Sequence, residues 1–359
     1  MLLLSVLWKS LGKTLCISNI DGNNILDSAY LNEGEFMELE EDLEKIICYR
    51  WNGINHPFKN FVFRLKMAFL QKICVPQPVE LKYSCMAVIP ADHQEIRPDD
   101  VPIILLHGLS GNKESWHGFF EVLALDTKKK VCIADLRNHG ESPWNSDEYD
   151  VEAMTEDVKH LIDRLKAQKA IVLGHSMGGK VAVHLALTYP ERVEKIIVED
   201  MRANGISSEG LQEVQFYSKV MKDLEKDIPQ GVSEIEAKKA FLKILNERLE
   251  KVDLSFKMDD LRVIPIKCSD GKCKWRFNSI LLDALLSNPD ELLNESSGRF
   301  DGPALFIYGG KSNFKVGEDE SNIKKLFPNA KLVEVADRDH LVHTSKEFMR
   351  EIVKFISDK

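Results

Sequence analysis

The short apolar run 169–173 leads straight into Gly174-His175-Ser176-Met177-Gly178-Gly179, and residues 180–187 continue with helical spacing. A buried strand that turns at G-x-S-x-G into a helix is the context in which this motif acts as a nucleophile elbow. The turn drives its central residue into a strained backbone conformation and lifts the side chain clear of the sheet. The residues two positions to either side must then be almost free of side chain, because a Cβ there would strike the adjoining strand or helix. Gly174 and Gly178 meet that condition, with Ser176 at the apex. A glycine-rich turn with a capping hydroxyl would give the same five letters, but not the strand before them and the helix after.

From about residue 80 the chain alternates short apolar runs with helical ones, the pattern of a mainly parallel sheet covered by helices. Runs 81–89, 101–106, 131–136, 169–173 and 195–199 read as strands. Met154, Val158, Leu161, Ile162 and Leu165 share one face of a helix that Asp150 would cap. The alternation lapses between 200 and 304. There, 211–224, 235–252 and 280–293 read as helices, the second opened by a capping box of Ser233 and Glu236, with a hairpin-like stretch at 262–277. Strand–helix order resumes at 304–308 and 331–335. It closes in a helix with a capping box at Thr344 and Glu347 and an apolar face of Phe348, Ile352, Phe355 and Ile356. The expected fold is α/β: a mainly parallel sheet flanked by helices over 80–359, with a helical cap at about 202–296 inserted between two strands. That insertion stands where it could cover the carboxyl ends of the strands, the place where ligands bind in such sheets.

Composition narrows the partners. A net charge of -9 argues against nucleic acid, which demands a concentrated basic face. The seven cysteines are scattered, with no CxxC pair and no HExxH, so neither a metal nor another cofactor is expected and a reducing compartment is the better reading. Cys132 reads as a small core residue; Cys268 and Cys273 could clip a hairpin, but Asp270-Gly271 is a sufficient turn between them without a disulfide. No run reaches the ~18 apolar residues that span a bilayer. Residues 1–79 form an N-terminal extension in which 1–20 carry Lys9 and Lys13, and 45–79 carry Lys and Arg, both stretches without an acid. Within it, 58–70 has the pattern of a basic amphipathic helix. Such a segment suits organelle import or peripheral membrane contact, or equally a helix packed on the body with a solvated basic face.

A serine hydroxyl is a weak nucleophile at neutral pH and needs a base within hydrogen-bond reach. Of the ten histidines, His340 follows the final strand, on a loop that returns to the strand ends, and is the expected base. His343 on the same loop reads as a packing residue at the helix entrance, and His175 lies too close to Ser176 in sequence to reach it correctly. The oxyanion formed at a carbonyl needs preorganised donors. The backbone N–H of Met177 and that of Leu109, in the turn His107-Gly108-Leu109-Ser110-Gly111, are the expected pair.

Elbow, His-Gly turn and terminal histidine, in this order, resemble the α/β-hydrolase superfamily over residues 80–359. The likeness is closer to one branch, with His-Gly-Leu-x-Gly at 107–111, Asp-x-Arg-Asn-His-Gly-x-Ser at 135–142, Gly-His-Ser-Met-Gly-Gly-Lys at 174–180 and Trp-Arg-x-Asn at 275–278. These motifs are similar to those of the alpha/beta-hydrolase domain-containing protein eleven family, related to bacterial short-chain acyl esterases. The resemblance implies a mitochondrial serine hydrolase, with a cytoplasmic location as the alternative. It implies a small acyl ester or lipid as substrate, diacylglycerol among them, cleaved through an acyl-serine intermediate. The motif at 135–142 is expected to shape the core and the floor of the site rather than to do chemistry.

In most α/β-hydrolases the acid of the triad stands in the turn after the strand that follows the cap. Here that turn reads Gly309-Gly310-Lys311-Ser312-Asn313-Phe314, and Asn313 falls in the acid's place. Asparagine cannot carry the charge that stabilises an imidazolium. Asp200, at the end of strand 195–199 and one strand along from the elbow, is the expected acid, as in related esterases. Asp283 and Asp339 are lesser candidates. Epoxide hydrolases and haloalkane dehalogenases carry Asp at the elbow, so Ser176 disfavours both. A carbon–carbon bond hydrolase, or a small-molecule receptor without turnover, would keep the serine and histidine on the same fold.

Overall fold

The computed structural model describes residues 77–88, 101–144, 149–249, 261, 264–287 and 297–358. The expected helix at 58–70 and the ends of the two expected cap helices, 250–252 and 288–293, lie outside the described residues.

The strands are β1 (Tyr83–Met86), β2 (Ile103–Leu106), β3 (Val131–Ala134), β4 (Ala170–His175), β5 (Val193–Glu199), β6 (Ile266–Ser269), β7 (Lys272–Trp275), β8 (Ala304–Gly309) and β9 (Ala330–Val335). Seven of them form one sheet in the order β1-β3-β2-β4-β5-β8-β9, while β6 and β7 pair apart as a hairpin. Every neighbour in the large sheet is parallel except β1, which runs antiparallel to β3 at the edge. Strands β2, β3 and β4 are buried at every position, because helices cover both faces of a parallel sheet and leave no side for water.

Helices α1 (Phe119–Thr127), α2 (Val151–Arg164) and α3 (Met177–Thr188) precede an insertion that holds α4 (Ser208–Leu224), α5 (Glu234–Leu249) and α6 (Ile280–Ser287). Helices α7 (Glu320–Leu326) and α8 (Lys346–Ser357) follow it. One face of the sheet packs with α2 and α3 through residues such as Met154, Val158, Val181 and Leu185. The other packs with α1 and α8 through Phe120, Leu123, Phe348 and Ile352. Asp150 caps α2 as its sequence position implies, accepting the Ala153 N–H at 2.6 Å. At α8 the cap is Ser345, whose hydroxyl accepts the Phe348 N–H at 3.1 Å, and not Thr344. Val342–Thr344 forms a 3-10 turn, so Thr344 is consumed inside that turn, donating to Leu341 O, and the helix starts one residue later.

The insertion between β5 and β8 has a core of its own, built from residues that include Met221, Leu224, Phe241, Leu245, Trp275 and Leu282. Its Ser233–Glu236 box forms as expected, the Glu236 carboxylate accepting the Ser233 N–H at 3.0 Å. It meets the sheet domain through specific bonds: Asn278 N–H to Asn138 O at 2.8 Å, and the hydroxyls of Tyr217 and Ser110 at 2.7 Å.

Two disulfides are present among the described residues. Cys132 is a core residue, and it is also bonded to Cys85 directly across the β1–β3 pair. Cys268 and Cys273 face one another in the β6–β7 hairpin and are bonded, so the Asp270-Gly271 turn is clipped. Pairing depends on Cβ atoms facing across strands, a register that spacing alone does not supply and that the expectation of a reducing compartment did not anticipate. Among the described residues no helix is long and apolar enough to cross a membrane.

Candidate active site

Strand β4 delivers its last residue, His175, to the carboxyl edge of the sheet, and Ser176 makes the turn into α3 with φ 52 and ψ -118. A positive φ at a non-glycine residue costs of order 1–3 kcal/mol and persists only where the surroundings enforce it. The enforcement is steric. A Cβ built on Gly174 would lie 2.0 Å from Gly178 O, and one on Gly178 would lie 2.5 Å from Leu106 O at the end of β2. The chain closes on itself here so tightly that only glycine fits at either position.

The turn after β2 lies against this elbow. A Cβ on Gly108 would come within 2.8 Å of His175 Nδ1 and 3.2 Å of Ser176 Cβ. Leu109 lines the same cavity as Ser176. The Met177 N–H opens α3 immediately after the serine, among the first amides of a helix that have no carbonyl partner inside it. Among the described residues no backbone bond uses the N–H of Leu109 or of Met177.

Two buried imidazoles pin that turn. His107 donates from Nδ1 to Gly108 O at 2.8 Å and accepts the Leu136 N–H at Nε2, 3.0 Å. His139 accepts the Ser110 N–H at Nε2, 3.1 Å, and donates from Nδ1 to Arg137 O at 2.9 Å. These acceptor roles require neutral rings. Burial supplies that, lowering His107 below the ordinary histidine value and His139 to about 3. The 135–142 motif is thus scaffold beneath the turn. Asp135 accepts the Lys113 N–H at 2.6 Å and the Glu141 N–H at 2.9 Å, and Arg137 forms a buried pair with Asp157 at 2.6 Å.

His340 follows β9 and lines the cavity with Ser176. Its Nδ1–H donates to Asp200 Oδ2 at 2.6 Å, which leaves Nε2 with the lone pair. Asp200 is fully buried and also accepts the Gly309 N–H at Oδ1, 3.0 Å, and the Ser312 hydroxyl at Oδ2. The turn that lacks an acid therefore donates hydrogen bonds to the acid of the neighbouring strand, while Asn313 itself bonds Glu213 at 2.7 Å. Phe314 stacks on His340 with ring centroids 4.0 Å apart and nearly parallel planes. Burial disfavours a charged His340, but the hydrogen bond and charge of Asp200 outweigh it and raise its pKa above the ordinary value. The lesser acid candidates stand elsewhere. Asp283 has half its side chain in solvent and pairs with Lys222, and Asp339 accepts the Leu341 N–H at 3.0 Å.

The cavity walls are mostly apolar, with Trp116 and Phe314 from the sheet domain and Val214 and Tyr217 from α4. His343 does more than pack. Both its N–H and its Nδ1–H donate to Glu199 Oε1, at 2.7 and 2.8 Å. His175 reaches away from Ser176, its Nε2–H donating to His340 O at 3.0 Å. Sequence reasoning missed Glu199, although an acid ending an otherwise apolar strand was a visible signal; nothing in the sequence around Trp116 pointed to the site.

The matching family model is described as "alpha/beta hydrolase fold" and covers residues 101–235. The sn-1-specific diacylglycerol lipase ABHD11 of Danio rerio is 30% identical over 305 residues, which span 83% of this chain and 89% of the relative. Esterase YbfF of Escherichia coli is 28% identical over 264 residues, 72% of this chain and 93% of that one. Among solved structures, a marine microorganism esterase superposes with a TM-score of 0.61 at 24% identity, over 77% of this chain and 99% of the other. The chain belongs to the α/β-hydrolase family. Within it the chain is close to the ABHD11 branch and to bacterial esterases, and it is a hydrolase of esterase or lipase type.

Proposed function

We propose that the protein hydrolyses carboxyl esters through an acyl-enzyme on Ser176. Ser176 Oγ attacks the ester carbonyl while His340 Nε2 takes its proton, and the Leu109 and Met177 amides receive the oxyanion. Collapse expels the alcohol with the proton from His340. Water then attacks the acyl-serine through the same base and releases the acid. Asp200 holds the tautomer of His340 and stabilises its imidazolium. The observation that carries this reading is the 2.6 Å bond from His340 to Asp200 at the edge where the positive-φ Ser176 stands.

The substrate in this reading is a small acyl ester or a lipid, with diacylglycerol suggested by the name of the ABHD11 relative. The insertion at about 202–296 acts as the cap and forms the acyl pocket, an assignment supported by Val214 and Tyr217 in the cavity wall. Residues 1–79 carry no catalytic group and serve targeting, to the mitochondrion, or contact with a membrane surface. A chain beginning at Val79 should still hydrolyse esters. A fluorophosphonate probe should label Ser176, and a panel from acetyl to long-chain esters and diacylglycerol should show turnover. Labelling without turnover of any ester would point to the receptor or the carbon–carbon reading instead.

A further inference from the structure

Beside the proposed triad, on the α1 and α8 face of the sheet edge, a second carboxylate is buried. Glu199 ends β5 with no solvent exposure, in register with His175 at the end of β4. Its two oxygens are treated unequally. Oε1 receives two N–H groups from His343, while Oε2 is buried and has no hydrogen-bond partner among the described residues. A buried carboxylate oxygen left bare is destabilising unless something completes it. The neighbours show what could. His175, Glu199 and His343 each offer one ligand atom, and these atoms lie within 4.8 Å of one another.

We propose that His175, Glu199 and His343 form a site for a divalent transition-metal ion such as zinc. Two imidazoles and one carboxylate are the donor set that borderline ions select over calcium or magnesium, and small side-chain rotations bring such atoms to about 2.0–2.2 Å from an ion. The unpartnered Oε2 supplies the anionic ligand. Both histidines line the catalytic cavity, so the remaining coordination position opens toward water. The ion is inhibitory. The His175 ring lies 4.7 Å from that of His340 and holds its carbonyl, so an ion here places positive charge beside a base that must itself become positive. Rates would fall as the site fills and recover when a chelator empties it. Binding does not depend on the esterase reading, since none of the three ligands belongs to the proposed triad.

The test uses the full-length chain, stripped with a chelator and titrated with zinc by calorimetry and with cobalt by visible absorption. One saturable site is expected, with cobalt bands of a mixed nitrogen and oxygen environment and esterase inhibition that follows occupancy. Glu199→Gln and His343→Gln, each checked for folding by circular dichroism, should weaken zinc by about 100-fold or more, given that loss of a mere supporting contact already costs 10–100-fold. Ser176→Ala should bind zinc as the wild type does, whether or not the protein is an esterase. Wild-type binding that is absent, or that both glutamine variants retain, would overturn the site and leave Oε2 to a buried water.

Discussion

The edge of the sheet and the insertion above it hold their shapes by different means. At the edge, position is set by backbone closeness. Gly174, Gly178 and Gly108 allow three chain segments to meet, and the Asp200 carboxylate is fixed by hydrogen bonds from His340, Gly309 and Ser312. The insertion is a small apolar core of Phe241, Leu245, Met221 and Trp275, fastened to the sheet domain by a few polar contacts. The first arrangement tolerates almost no change of volume. The second is a core of apolar side chains, where volume-conserving substitutions are tolerated best. In the proposed reading, chemistry belongs to the first region and selection among substrates to the second.

That contrast is easiest to break at Ser176. Ser176→Ala should lower kcat by about 10⁴-fold or more with an unchanged thermal midpoint. Wild-type ester turnover in a folded Ala variant would refute the acyl-enzyme. Asp200→Asn should cost about 10⁴-fold, whereas Asp283→Asn and Asp339→Asn should stay near wild type. The pH profile sharpens the same point. His340 must be neutral to accept the serine proton, and its pKa is raised, so the acid limb of kcat/KM should lie above the ordinary histidine value. Removing the Asp200 charge should move that limb to lower pH, and a limb that does not move would detach Asp200 from the base.

Next in size, Phe241→Ala should destabilise the insertion by about 3–5 kcal/mol, the usual cost of emptying a buried aromatic site. Chain-length preference should shift while fluorophosphonate labelling of Ser176 continues; loss of labelling would mean that the two regions are not separable. The smallest expected effect is Ser345→Ala at the start of α8, about 1 kcal/mol by thermal denaturation, with Thr344→Ala near neutral. The reverse order would restore Thr344 as the cap.

Much of the sheet edge was legible in the sequence because its constraints are local. An elbow must be written as glycine, residue, serine, residue, glycine. The bond of Asp200 to His340 could be expected because Asn313 left the usual position without a charge. Strands buried on both faces announce themselves as apolar runs. What stayed hidden is relational. The Cys85–Cys132 bond depends on β1 running antiparallel to β3, a register no spacing encodes. The Glu199–His343 pairing joins residues 144 positions apart, and the shift of a cap from Thr344 to Ser345 turns on whether one more residue enters a 3-10 turn.

The position of the proposed acid directly after β5 has a consequence for how the site comes into being. Ser176 and Asp200 directly follow the neighbouring strands β4 and β5 and are synthesised well before residue 340, and domains assemble from the N-terminal side during synthesis. Their proposed base, His340, arrives only after the whole insertion, β8 and the edge strand β9 have been made. Until that last strand docks on β8, the nascent chain holds a nucleophile and a counter-charge but nothing to move a proton between them. On the proposed mechanism the growing chain is therefore a silent hydrolase, and a fragment truncated before residue 340 should be inert toward esters.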